Sequence, residues 1–344
     1  MYKVGIVLCY LGGHLHGYFD KFLIGCKYNP TIDWLLFTDD HTQMDYPENV
    51  KVHYTTLDEM RERVHTALDR EICIDTPRGL CNYKVMYGKI FEEELKPYDF
   101  WGFCDCDLVF GNLRKFFTDD IFEKYGKIGI YGHLTLMRND EFHRMVWKDA
   151  AEAFKGYRGV DIFKEGSRAW SFDEVPGIDR YFDEQGLPQY GERIFESYQP
   201  DKKGFIPDDR KNYAKGFVAK LKNEKNCWKW RKRKHVMFEY DRGSIYRICL
   251  IHGKVCKEEI LYAHFPGGKN FKNRELGDHF YIIPYEFTDQ VELTPKWIRA
   301  HAEDEHLMQS LKLNFIWYRG VAAKYMPGLA KVVKKLLGKE KGKE

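Results

Sequence analysis

The alternation of its first third most constrains what this chain can fold into. Short apolar runs at residues 3–10, 32–37, 50–54 and 99–110 are separated by turn signals and by helical spacing at 18–26, 57–68 and 82–95. A run such as Val4-Gly5-Ile6-Val7-Leu8 has no polar position. It therefore reads as a strand buried on both faces rather than one that is dry on one side only. Strands of this kind alternating with helices predict an α/β fold with a parallel or mostly parallel sheet. Ligands of such sheets bind beyond the carboxyl ends of the strands. Two acidic stretches fall at such ends, Thr38-Asp39-Asp40 and Asp105-Cys106-Asp107.

Further on, residues 128–139 read as a strand broken at Gly132-His133, followed by a helix over 141–154. Residues 156–234 show no clear period. A hairpin is expected from 236–240 and 244–251 around Asp241-Arg242-Gly243, then a strand at 260–265 and a helical pattern from 297 to 337. No repeat or low-complexity linker divides the chain, so one elaborated domain over 1–295 with a helical extension at 296–344 is expected. With 44% hydrophobic residues the chain has material for a sizeable core. Its 55 basic and 52 acidic residues nearly balance, which argues against nucleic acid as the general partner. Nine scattered cysteines without zinc-site spacing suit a reducing, cytoplasmic compartment. The apolar start reads as a strand, not a signal peptide, and no run reaches the ~18 residues of a spanning helix.

Asp105 and Asp107 sit inside Phe103-Cys104-Asp105-Cys106-Asp107-Leu108-Val109-Phe110. In a strand, residues two apart point to the same side. Two such carboxylates repel unless one is protonated or a cation bridges them. Oxygen ligands suit Mn²⁺ or Mg²⁺ together with a phosphate-bearing substrate. The plainer reading is a solvated strand end.

Two families share the pattern. Asp105 to Phe110 resembles the first motif of haloacid-dehalogenase phosphatases, which implies Asp105 as nucleophile, although that motif normally lies on the first strand. The broader resemblance runs through Asn82-Tyr83-Lys84, Pro97-Tyr98-Asp99 and Trp101 to Leu113. It is to GT-A glycosyltransferases of bacterial polysaccharide biosynthesis, similar to glycosyltransferase families 8 and 32. A second match, Tyr262-Ala263-His264-Phe265-Pro266-Gly267-Gly268-Lys269, resembles the family 8 segment that supplies a histidine to the metal and a lysine to the diphosphate.

The resemblance implies a GT-A, Rossmann-like α/β fold with a mixed, mostly parallel sheet. It implies a nucleotide-sugar half at about 1–140 and an acceptor half at about 141–295. Asp105, Asp107 and His264 become the metal ligands. Tyr10, Leu11, Thr38, Asp39, Lys84, Asp105, Cys106, Gly132, His133 and Lys269 become donor contacts. For Asp39-Asp40, turn capping stands equally open. Within Trp170-Ser171-Phe172-Asp173-Glu174, Asp173 or Glu174 is the general base of an inverting enzyme, or stabilises the sugar cation of a retaining one. A helix N-cap is the competing role for Asp173.

The run Trp228 to Lys234 mixes rings and cations and reads as a solvated loop or an anionic-surface contact. Leu329, Val332, Val333, Leu336 and Leu337 repeat at helical spacing between lysines, as in a helix lying on an anionic bilayer or one packed on the domain. The expectation is a metal-dependent transferase moving a sugar from a UDP-sugar to a glycan or lipid-linked glycan in capsule- or lipopolysaccharide-type synthesis. It would be cytoplasmic, with peripheral contact at the inner membrane face. The alternatives are the phosphatase and a non-catalytic nucleotide-sugar or glycan-binding protein.

Overall fold

The structure is a computed structural model, and it describes residues 1–174, 177–201, 204–207, 234–266 and 271–302. The first apolar run forms β1 (Val4–Tyr10), which pairs in parallel with β2 (Ile32–Thr38); β3 (Val50–Tyr54) extends the sheet beyond β2. Helices α1 (Phe19–Lys27) and α2 (Leu57–Leu68) follow β1 and β3. A capping box between Thr56 and Glu59 starts α2. β4 (Phe100–Cys104) pairs in parallel with the other side of β1. Alternate residues of β1 enter different cores: Ile6 and Leu8 pack with Trp34 and Phe100, while Val7 packs with Phe37 and Phe103. Both faces are dry, as the unbroken apolar run predicts.

The 99–110 run does not continue as one strand. It breaks at Asp105–Asp107, and β5 (Leu108–Phe110) joins a different sheet. Tertiary pairing decides this: the Asp105 amide donates to the His133 carbonyl at 2.9 Å, and the Phe265 amide donates to the Asp107 carbonyl at 3.0 Å. The helix expected over 82–95 is also different. It is a 3₁₀ segment, Pro77–Met86, followed by two short turns of α-helix, Tyr87–Ile90 and Glu92–Leu95. Residues 79, 80 and 82–86 are all buried, so close packing on several sides replaces the single apolar stripe of a surface helix.

Residues 128–139 are a hairpin, not a broken strand: β6 (Lys127–Ile128) lies antiparallel to β7 (Leu134–Arg138), which lies antiparallel to β4. β8 (Gln189–Tyr190) closes a seven-stranded mixed sheet of order β3-β2-β1-β4-β7-β6-β8. Four of its six pairings are parallel. The expected 141–154 helix is split at Val146 into Glu141–Met145 and Trp147–Arg158.

The chain then builds β9 (Glu196–Asp201), β10 (Gly204–Pro207), β11 (Lys234–Asp241), β12 (Ser244–Ile251), β13 (Lys254–Ile260), β14 (Tyr262–His264), β15 (His279–Ile283) and β16 (Glu286–Thr288). The expected hairpin is β11–β12, and both its turn residues, Arg242 and Gly243, have positive φ, as a tight two-residue turn demands. It belongs to a five-stranded antiparallel sheet, β13-β12-β11-β15-β16. The expected 260–265 strand changes sheet at Leu261, so β14 instead joins β10-β9-β14-β5. Of the expected C-terminal helix, Pro295–His301 is helical, and Ile298 packs on the five-stranded sheet. The amphipathic stretch from Leu329 to Leu337 lies outside the described residues, as does the basic run before Lys234. Among the described residues no helix is long and apolar enough to cross a membrane.

Candidate metal centre

In the seven-stranded sheet the chain runs from β1 to β2 on one side and later adds β4 on the other. The order therefore reverses between β1 and β4, and a crevice opens beyond their carboxyl ends. A cavity of about 560 Å³ lies there, within the range of small-ligand sites. Tyr10 enters it from β1 and Leu11 from the loop that follows, and Cys104, Asp105, Cys106 and Asp107 from β4 and the break after it.

His264 reaches the same place through the second sheet. β14 runs antiparallel to β5, so His264 stands opposite Leu108, next to Asp107. On its other side β14 runs parallel to β9, with Ser197 opposite His264. His264 Nε2 lies 3.2 Å from Asp107 Oδ1 and 3.9 Å from Asp105 Oδ2. One ligand atom from each of the three residues falls within 4.8 Å of the others. Ser197 Oγ is 2.9 Å from His264 Nδ1. With the proton on Nδ1, donated to that hydroxyl, Nε2 keeps a lone pair toward the carboxylates. The His133 ring lies over His264, with centroids 3.9 Å apart. Burial pushes the Asp107 carboxyl up, but His264 in its protonated form, a cation that donates from Nε2, holds it below the ordinary value. The neutral form is the one that could bind a metal.

Lys84 forms the opposite wall. Its ammonium is 2.5 Å from Asp105 Oδ1 and 3.0 Å from Asp173 Oδ2. Burial disfavours its charge, but the two carboxylates outweigh burial and raise its pKa well above the usual lysine value. Burial likewise keeps the Asp173 pKa raised despite Lys84. Asn82 holds the two strips of chain together. Its amide donates to the carbonyls of Glu165 and Arg168, and its oxygen accepts from the Trp170 amide.

The sequence candidates separate on this frame. Tyr10, Leu11, Lys84, Cys106, His133, Asp173 and Glu174 all line the cavity with Asp105, Asp107 and His264. Cys106 keeps its proton, because burial and then the neighbouring aspartates push its thiol up. Gly132 lies just behind, with φ +75°; a Cβ there would come within 2.8 Å of Glu174 Cγ and 3.0 Å of Asp173 Oδ2. Thr38 and Asp39 are outside the lining. Thr38 is buried and its hydroxyl accepts from the Asp40 amide, while Asp39 accepts from the Gly12 amide at 2.8 Å and braces the loop after β1. Asp40 is a turn residue too: it is pushed up by burial, but hydrogen bonds from Thr42, Leu15 and His14 hold it well below the carboxylate range. The next helix starts at Ile178 with Gly177 at its cap, so Asp173 does not serve as its N-cap. Lys269 lies outside the described residues.

Three lining residues had no signal in the sequence. His16 sits beside Tyr10 and, when protonated, lowers the Asp107 carboxyl, Ser197 contacts His264 Nδ1, and Arg78 is an exposed cation at the rim. A lone histidine after a glycine turn and a serine in an aperiodic stretch carry no pattern by themselves.

The residues present fit a hard divalent cation. The lining holds four carboxylates, Asp105, Asp107, Asp173 and Glu174, against two cations, Lys84 and Arg78. In the proton state that binds a metal, with His264 deprotonated and the other histidines neutral, two negative charges remain for a cation to balance. Two carboxylates and one imidazole leave room for further oxygen ligands. Among known proteins, the family described as a family of unknown function, DUF6625, matches residues 6–291, and the chain belongs to it. No curated protein matches the chain.

Proposed function

We propose that this DUF6625 member is a divalent-metal-dependent glycosyltransferase of GT-A fold, moving a sugar from a UDP-sugar to a glycan acceptor in cell-surface polysaccharide synthesis. The convergence of Asp105, Asp107 and His264 carries the reading. They come from two sheets onto one point beside the β1/β4 crevice, where a nucleotide is expected to dock. The excess negative charge adds to it, since an anionic diphosphate would be repelled from this cavity without a cation.

Asp105, Asp107 and His264 would hold a divalent cation, Mn²⁺ or Mg²⁺, which would supply positive charge against the donor diphosphate. The chain's own residues do the rest. Tyr10 and Leu11 line the cavity at the end of β1, which supports reading them as the nucleoside contacts. Lys84 fixes Asp105 and Asp173, leaving Asp173 as an anchored acceptor for sugar hydroxyls. Glu174 is the more exposed member of the acidic pair and lines the cavity, which favours it over Asp173 as the residue that meets an acceptor hydroxyl. In an inverting reaction it takes the acceptor's proton; in a retaining one its charge steadies the sugar cation. Lys269 is assigned to the diphosphate by the resemblance alone. A lipid-linked acceptor would make cytoplasmic placement with the 329–337 stretch on the inner membrane face useful.

Thermal unfolding with UDP and UDP-sugars, each with and without Mn²⁺, tests this. Stabilisation by about 2–3 kcal/mol at 100-fold excess over Kd, with metal and not without it, is expected. Silence toward every nucleotide sugar in the presence of Mn²⁺ sinks the proposal. The Lys84–Asp105 contact also suits a phosphatase with Asp105 as nucleophile, and an aspartyl phosphate trapped at Asp105 would decide for that reading.

A further inference from the structure

One buried ion pair takes no part in the chemistry above. Lys127 and Asp179 both have fully buried side chains, and their charged atoms lie 2.5 Å apart. The other two Lys127 donors are taken by the Gly129 carbonyl at 2.8 Å and Gln189 Oε1 at 3.1 Å. The second Asp179 oxygen accepts from the Tyr131 amide at 3.0 Å. The pair thus grips the first part of a short loop, at Gly129 and Tyr131, that is hard to form unaided. Gly129, Tyr131 and Gly132 all have positive φ, and for Tyr131 that conformation is strained.

The far side of the same loop touches the metal centre at three places. The His133 carbonyl receives the Asp105 amide, the His133 ring lies over His264, and Gly132 backs onto Asp173 and Glu174. Buried ion pairs are weak contributors to net stability, since desolvation offsets their attraction. A pair gripping a strained loop against a ligand set has a use beyond stability.

We infer that Lys127 and Asp179 are positioning residues for the metal centre. They hold loop 129–133 so that Asp105 and His264 face one point. This rests on the metal reading above, and the loop itself is measured separately.

The test replaces both charges by apolar groups, Lys127→Met with Asp179→Leu, because a well-packed apolar replacement is commonly tolerated. Asp179→Asn alone is a second variant that keeps the size. Mn²⁺ alone is titrated by electron paramagnetic resonance, and amide hydrogen exchange is followed in the metal-free protein. The double variant is expected to fold with a modestly lower melting temperature, because the Gly129 carbonyl, Gln189 and the Tyr131 amide each lose a partner. Its Mn²⁺ affinity should fall about 10–100-fold, as for other outer-shell substitutions, and the amides of residues 105 and 129–134 should exchange faster. Wild-type affinity and wild-type exchange in either folded variant overturn the inference. So does a lower melting temperature with both unchanged, which would make the pair a fold element only. If the wild-type protein itself ignores Mn²⁺, the metal reading fails, and the exchange rate at Asp105 alone then decides whether the pair positions the loop.

Discussion

Two lysines are buried against aspartates on either side of one loop, and they differ in what surrounds them. Lys127 meets one carboxylate and two neutral oxygens, so every donor and every charge is matched. Lys84 meets two carboxylates and shares its cavity with two more. The first environment is closed and neutral; the second is left short of positive charge. Folding alone gains nothing from leaving carboxylates under-compensated, because burial of unpaired charge is destabilising. The excess at Lys84 is therefore the place to look for a ligand that brings charge with it.

The largest effect should come from Asp107→Ala, which removes a ligand and leaves the lysines untouched. Sugar transfer should fall roughly 10³-fold, about 4 kcal/mol of transition-state stabilisation, with Mn²⁺ binding lost in the same titration. Full activity in this variant would break the metal assignment.

Lys84→Met and Lys127→Met set the two lysines against each other. Each leaves a buried carboxylate unpaired and should destabilise by about 3–5 kcal/mol in urea unfolding. Millimolar Mn²⁺ should restore part of the loss in Lys84→Met, where the cation joins the same carboxylates, and none in Lys127→Met. Equal rescue of both would erase the distinction between an open and a closed charge cluster.

Ser197→Ala should have the smallest effect on the fold. It removes one hydroxyl from His264 Nδ1 and should change stability by about 1 kcal/mol. Mn²⁺ affinity should still drop about tenfold or more, because the imidazole loses the partner that fixes its ring and tautomer. Unchanged affinity would show that the β14 pairing alone suffices to aim His264.

The legible parts of the molecule were those with local signals. β1, β2, β3 and α2 announce themselves by apolar runs and turn residues, and their structural bounds lie within a residue or two of the expected ones. The break at Asp105–Asp107 was not legible, since apolar residues continue on both sides of it and only partners elsewhere in the chain end the strand. The same holds for the 3₁₀ segment carrying Lys84. A near-continuous helical pattern conceals that the segment is buried on more than one side. His264 was found through a resemblance, whereas His16 and Ser197 had none to expose them.

The chain's own order of residues thus determined the α/β alternation, the dry parallel strands and the carboxylates at the end of β4, because each depends on neighbours within a few residues. Only the tertiary structure decided that Asp105 and Asp107 leave the strand, that His264 meets them through a second sheet, and that Lys84 joins Asp105 to Asp173. Those contacts link residues remote in the chain, and their energies depend on burial and distance, which no local pattern encodes.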